Sequence, residues 1–240
     1  MKSISAAIAL GVILQASTAA AYAQALDTDI MDDLTSAQQE KVRQGYQVMV
    51  TNPLTPTPNH WTVTYYQKVG SALPNADTFG SAAVYADYES QPDYQFPFLL
   101  DFQIQAGAGT AAVKGLVATP GAEGQPPVLS HQVNAVFRSG NPANPLYSAT
   151  YHSTDLPAPT APFLSNFGAV DFQRDAVTGS TVMRYNANII PSAAIAGNEG
   201  LKNLLLASGA STVQKHADRM KSGATPRQLH ALHEMLNDND

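Results

Sequence analysis

Between Trp61 and Ile190 the chain repeats one theme, short runs rich in β-branched and aromatic residues cut apart by turn material. The runs read "WTVTYYQKV", "LLDFQIQ", "TAAVKGLVA", "VLSHQVNAVFR", "LYSATYHST", "NFGAVDFQR" and "STVMRYNANII". Between the later ones lie "TPGAEGQPP", "SGNPANP", "LPAPTAP" and "DAVTG". A period of two over a few residues makes a half-buried strand, and breaks this short join antiparallel neighbours. Such a sheet must cover one face, and two stretches of helical period are available to do it. "NADTFGSAAVYADYE" offers Asn75 or Asp77 as a cap, with Phe79, Ala82, Ala83 and Ala86 on one side. After Pro191, "NEGLKNLLLASGASTVQKHADRMK" places Leu201, Leu204, Leu205, Val213, Ala217 and Met220 on another. The order predicts an α+β fold, a curved antiparallel sheet of about six or seven strands with its helices gathered on one face.

The flanks have their own signals. Residues 1–25, "MKSISAAIALGVILQASTAAAYAQA", carry Lys2, an apolar run and small residues near the end. That is the layout of a cleaved secretory signal, and the run is too short for a permanent span. The expected location is the periplasm, with the extracellular medium as the alternative. In residues 26–59, "DLTSAQQEKVRQGYQVMV" reads as a helix from Asp33 to Val50, with Thr35 or Ser36 as cap and Gln38 or Gln39 three residues on. Pro53, Pro56 and Pro58 then make an extended connector. The main domain is expected over 60–222. A tail, 223–240, has Thr225 as cap, Pro226 in the first turn and an apolar stripe of Leu229, Leu232 and Leu236. The tail helix either docks on its own domain or, with the N-terminal helix, reaches an envelope protein partner.

Charge narrows the functions. With 13 basic and 19 acidic residues the net charge is −6, and no basic stripe is present, so neither nucleic acid nor a surface of anionic lipid head groups is an expected partner. There is no cysteine, so no disulfide staples the exported chain, and its stability rests on a packed core. No Gly-x-Ser-x-Gly, Walker loop or dinucleotide fingerprint occurs, and no catalytic residue or cofactor is assigned. His230 and His233 with Glu234 have a spacing that metal sites use, but lack a nearby cysteine or third histidine, and a metal is rejected.

The corner "VYADYESQPDYQFPFLLDFQIQ" joins the first helix to the next strand. Its acid-and-aromatic group Asp87-Tyr88-Glu89, then Pro92, Tyr94 and the strand from Leu99 to Ile104, resembles the superfamily of START lipid-transfer domains, bacterial polyketide cyclases and coenzyme-Q-binding proteins. The late hairpin "GAVDFQRDAVTGSTVMRYNANIIPS" is similar to that superfamily's penultimate hairpin. The resemblance runs from about Trp61 to Lys221 and implies a helix-grip fold, in which the bent sheet wraps the long C-terminal helix and leaves a cavity. It implies a carrier of a hydrophobic small molecule or lipid. The alternatives are a cyclase-like enzyme using the same cavity, and a binding module without ligand.

Within such a cavity two rows supply candidate ligand contacts. Leu129, His131, Val133, Ala135 and Phe137 alternate in one strand, and Met183, Tyr185, Ala187 and Ile189 in another; Leu205 faces them from the helix. His131 and Tyr185 are the polar anchors of the set, Phe137, Met183 and Leu205 its apolar part. Each polar group either meets a ligand or finds a partner inside the protein. Gly209 interrupts the long helix, marking either a break or the close approach of something large. Acid–base work by Asp171, Asp175 or Asp87 with His131 or His152 has no support from spacing.

Overall fold

The computed structural model describes residues 29–53, 60–70, 73, 76–91, 102–107, 110–116, 128–134, 137–139, 141–155 and 163–237. The signal-like segment lies outside them, as do 92–101 of the corner. In chain order the elements are α1 (Ser36–Arg43), β1 (Val48–Pro53), β2 (Trp61–Val69), α2 (Thr78–Ala86), β3 (Phe102–Gly107), β4 (Thr110–Leu116), β5 (Val128–Asn134), β6 (Phe137–Ser139), β7 (Leu146–Asp155), β8 (Phe163–Arg174), β9 (Thr181–Pro191), α3 (Ala193–Ala196), α4 (Glu199–Met220) and α5 (Pro226–Asn237). One antiparallel sheet runs β1-β2-β9-β8-β7-β5-β4-β3, with β6 also on β7.

The expected α+β architecture is present, with nine strands among the described residues where the sequence pattern counts about six or seven. One extra strand comes from the N-terminal segment. Helix is expected from Asp33 to Val50, yet α1 stops at Arg43 and Val48–Pro53 is the edge strand beside β2. The start follows the capping box, Thr35 with Gln38. The stop is Gly45 at φ 93°, where the Gly45 and Tyr46 N–H groups turn back to the carbonyls of Val42 and Lys41. That left-handed closure ends a helix wherever glycine stands just past its last turn.

The second extra strand comes from a split. "VLSHQVNAVFR" forms β5 and β6, both on β7: Val133 pairs with Tyr151, but Phe137 with Ser148. One additional residue therefore sits in the β5–β6 side of the ladder. A one-residue slip reverses the alternation, so the single row drawn from Leu129 through Phe137 is broken.

The two faces of the sheet bury different things. The inner face packs Val63, Tyr65, Val69, Val170, Phe172 and Met183 against Ala82, Ala83 and Tyr85 of α2 and Val213, Ala217 and Met220 of α4. Asp77 caps α2 by accepting from Gly80 N. Ile30, Met31, Leu34 and Val42 cross the outer face and cover Val48, Tyr66, Leu146 and Val182. The tail helix α5, entered by a Thr225–Gln228 capping box, lies on α2 with Leu232 fully buried. Both terminal helices thus bury apolar residues within their own chain, Val42 from α1 and Leu232 from α5.

Candidate functional site

Long α4 lies along β2 on the inner face. Its first turn sits over Trp61, where Lys202 Nζ is 5.4 Å from the ring centre. One turn beyond Lys202, the Tyr65 hydroxyl donates to the Leu206 carbonyl at 2.8 Å. Gly209 rests on the same ring, and α4 runs unbroken through it. The large group that Gly209 admits is therefore Tyr65 of the same chain. From Val213 onward the helix is bedded among Tyr85, Phe172 and Met183.

The fold is a helix-grip.

No protein-family profile matches the chain, and no curated protein is similar to it in sequence. Among solved structures the grip is similar to the di-domain ARO/CYC BexL, at 12% identity over 71% of this chain and 52% of that one, TM-score 0.49. It is similar to the Zhui aromatase/cyclase of a Streptomyces, at 16% identity over 79% and 95% of the chains, TM-score 0.42. Human STARD10 is 7% identical over 72% and 69%, TM-score 0.46. The match spans about half the length of BexL and of a second di-domain ARO/CYC protein, StfQ.

The grip is filled at one end. Around Phe172, Met183, Val213, Ala217 and Met220, all at 0% exposure, side chain meets side chain. Met183, expected among ligand contacts, is part of this solid core. Toward the other end the packing changes. Tyr185 is only partly buried, its ring 5.4 Å from that of Tyr151 and 6.4 Å from that of Tyr65. Tyr151 reaches across Gly168, which has no side chain to block it, and donates to the Asn186 carbonyl at 3.0 Å. On α4, Leu205 is partly buried, while Leu201 and Leu204 are 40% and 52% exposed. Of the five expected contact residues, Tyr185 and Leu205 thus lie on the half of the grip that its described side chains leave incompletely packed. The strand positions of His131, opposite Val113 and Ser153, and of Phe137 are described, but their side chains lie outside the described part.

Protonation here is governed by burial. It pushes the hydroxyls of Tyr65 and Tyr185 up, so both stay protonated at ordinary pH. The carboxylates of Asp171, Asp175 and Asp87 are engaged elsewhere. Asp171 is on the outer face, accepting from Ser148 Oγ at 2.5 Å and Arg184 Nε at 2.9 Å. Asp175 is held by Arg43, and Asp87 accepts from Gln228 at 2.7 Å. His152 lies 3.0 Å from Ser165 with its ring against Phe167, and burial lowers its pKa. The contact that sequence reasoning missed is Trp61 with Lys202. Its signal was visible, since Trp61 is the one tryptophan in the chain and begins the first inner-face strand.

Proposed function

We propose that the protein is an exported carrier that holds a hydrophobic small molecule or lipid between the sheet and the first half of α4. The supporting observation is the asymmetry of the grip. Between the sheet and the second half of α4, around Phe172, Met183 and Met220, it is closed by its own side chains, whereas at the α4 N-terminal end Leu201 and Leu204 stand exposed and Tyr185 incompletely covered. Apolar ligand area removed from water there gains about 25 cal/mol per Å², so binding needs little beyond shape and one or two hydroxyls. A cyclase-like reading lacks comparable support. The rings described against Tyr185 are those of Tyr65 and Tyr151, and the carboxylates of Asp171 and Asp175 are ion-paired across the sheet from it.

Native mass spectrometry of the protein purified from its own host, followed by organic extraction, tests this. The expected result is a co-purifying apolar molecule whose removal and return shift the emission of Trp61. A clean apo mass, together with unchanged Trp61 emission across titration with Nile red and long-chain alcohols, overturns the carrier reading.

A further inference from the structure

The polarity of the open end says what kind of hydrophobic molecule suits it. Lys202 is the one basic residue between Glu199 and Gln214 of α4. Its ammonium is not directed away into water. It is drawn back over the Trp61 ring, and its side chain is one-third exposed. Trp61 in turn is nearly buried and pairs across the sheet with Ile189, so the cation is fixed above an apolar wall at the edge of the incompletely packed half. A ring face and a lysine stem together hold the charge at a defined place. The nearby acid, Glu199, is 3.5 Å from Nζ and 79% exposed, a solvated pair that an entering anion displaces readily. Elsewhere on that wall the described polar groups include the Tyr185 hydroxyl, which burial keeps protonated, and the Asn166 side chain, which accepts from the Tyr151 hydroxyl.

We propose that the cargo is an anionic amphiphile, an apolar tail with a single carboxylate or phosphate head, and that Lys202 over Trp61 receives the head while the tail enters toward Tyr185 and Leu205. This rests on the carrier reading and adds the charge of the ligand to it. In a chain of net charge −6 a long-range attraction for anions is absent, so selectivity falls on this local cation. The head remains near solvent and the tail does not, which avoids burying an unpaired charge.

Oleate and oleyl alcohol share a tail and differ in the head, and their displacement of Nile red from the full chain reads the two contributions separately. The expected result is that the wild type prefers oleate, that Lys202→Gln weakens oleate about tenfold, as befits one lost charge-assisted contact, and that oleyl alcohol is unaffected. Glu199→Gln is expected to tighten oleate and leave the alcohol alone. Lys202 and Glu199 are both at the surface, and circular dichroism confirms that the variants are folded. Equal loss of both probes in Lys202→Gln, or no loss of either, overturns the assignment of the head group while leaving the carrier reading intact. Binding of neither probe by the wild type overturns both.

Discussion

A Cβ added to Gly209 would stand 2.6 Å from the hydroxyl oxygen of Tyr65 and 3.1 Å from the ring carbon that bears it. The glycine is thus the notch into which the tyrosine fits, and the hydroxyl bond to Leu206 three residues earlier fixes the rotation of α4 on the sheet. Alanine in a helix interior is ordinarily more stable than glycine by about 1 kcal/mol. Here the sign should reverse. Gly209→Ala is expected to lower stability by about 1–2 kcal/mol in urea melts, because Tyr65 is buried and its hydroxyl is tied to the Leu206 carbonyl. Tyr65→Phe alone should cost about 1 kcal/mol. The double variant should lose less than the sum of the two, since the atom that the new methyl meets is gone. Strict additivity would show that the two residues do not touch.

The outer face carries a second coupled group. Asp171, with no exposure, accepts from Ser148 and from Arg184, and Arg184 also meets Asp33 at 3.4 Å. Removing one member of a buried pair strands the other charge, at a cost of about 3–5 kcal/mol. Arg184→Met is expected to fall in that range, and Asp171→Asn in the same background to recover part of it by removing the stranded carboxylate. Asp33→Ala, at an exposed side chain, should change little. Equal losses for Arg184→Met and Asp33→Ala would argue that the pair with Asp171 is not where the energy lies.

Asp175 gives stability a predictable pH dependence. Burial by itself pushes its carboxyl up, but hydrogen bonds from Arg43, from the Thr178 hydroxyl and N–H and from the Val177 N–H outweigh it and hold the pKa at about 2, below the ordinary 3.8. A depressed folded-state pKa contributes stability that is fully present above the unfolded value. That contribution is lost as pH falls through the folded value. The wild type should therefore lose more stability than Asp175→Asn between about pH 4 and pH 2, and the two should run parallel above that window. Urea midpoints measured across the window provide the check, and parallel curves throughout would sink the prediction.

The tail helix is held by one deeply buried side chain and one polar link. Leu232 has 0% exposure, and Gln228 both closes the capping box with Thr225 and donates to Asp87. Leu232→Ala is expected to destabilise by about 2–4 kcal/mol. Ending the chain at Gly223 should expose the α2 face and raise the binding of a hydrophobic dye. If truncation leaves both the melt and dye binding unchanged, α5 contributes nothing to the core that Leu232 is seen to join.

Local rules carry far in this chain. The strands from Trp61 to Ile190, the caps at Thr35, Asp77 and Thr225, and the apolar side of α4 from Val213 to Met220 are legible because period and capping depend on neighbours in sequence. The end of α1 was legible too, in the glycine of "RQGYQVMV", but the helical spacing of Val42, Tyr46 and Met49 competes with it. The alternation of Val48 and Val50 becomes a strand only because β2 offers a free edge. What the sequence could not decide was which groups face each other. The slip between Val133 and Phe137, the placing of Asp171 and Tyr185 on opposite faces, the seat of Gly209 on Tyr65 and the meeting of Lys202 with Trp61 all join residues far apart in the chain. Periodicity specifies that a strand has two sides. Only the packed sheet determines which side is inside, and whether the space beside it is filled by the protein or left for a guest.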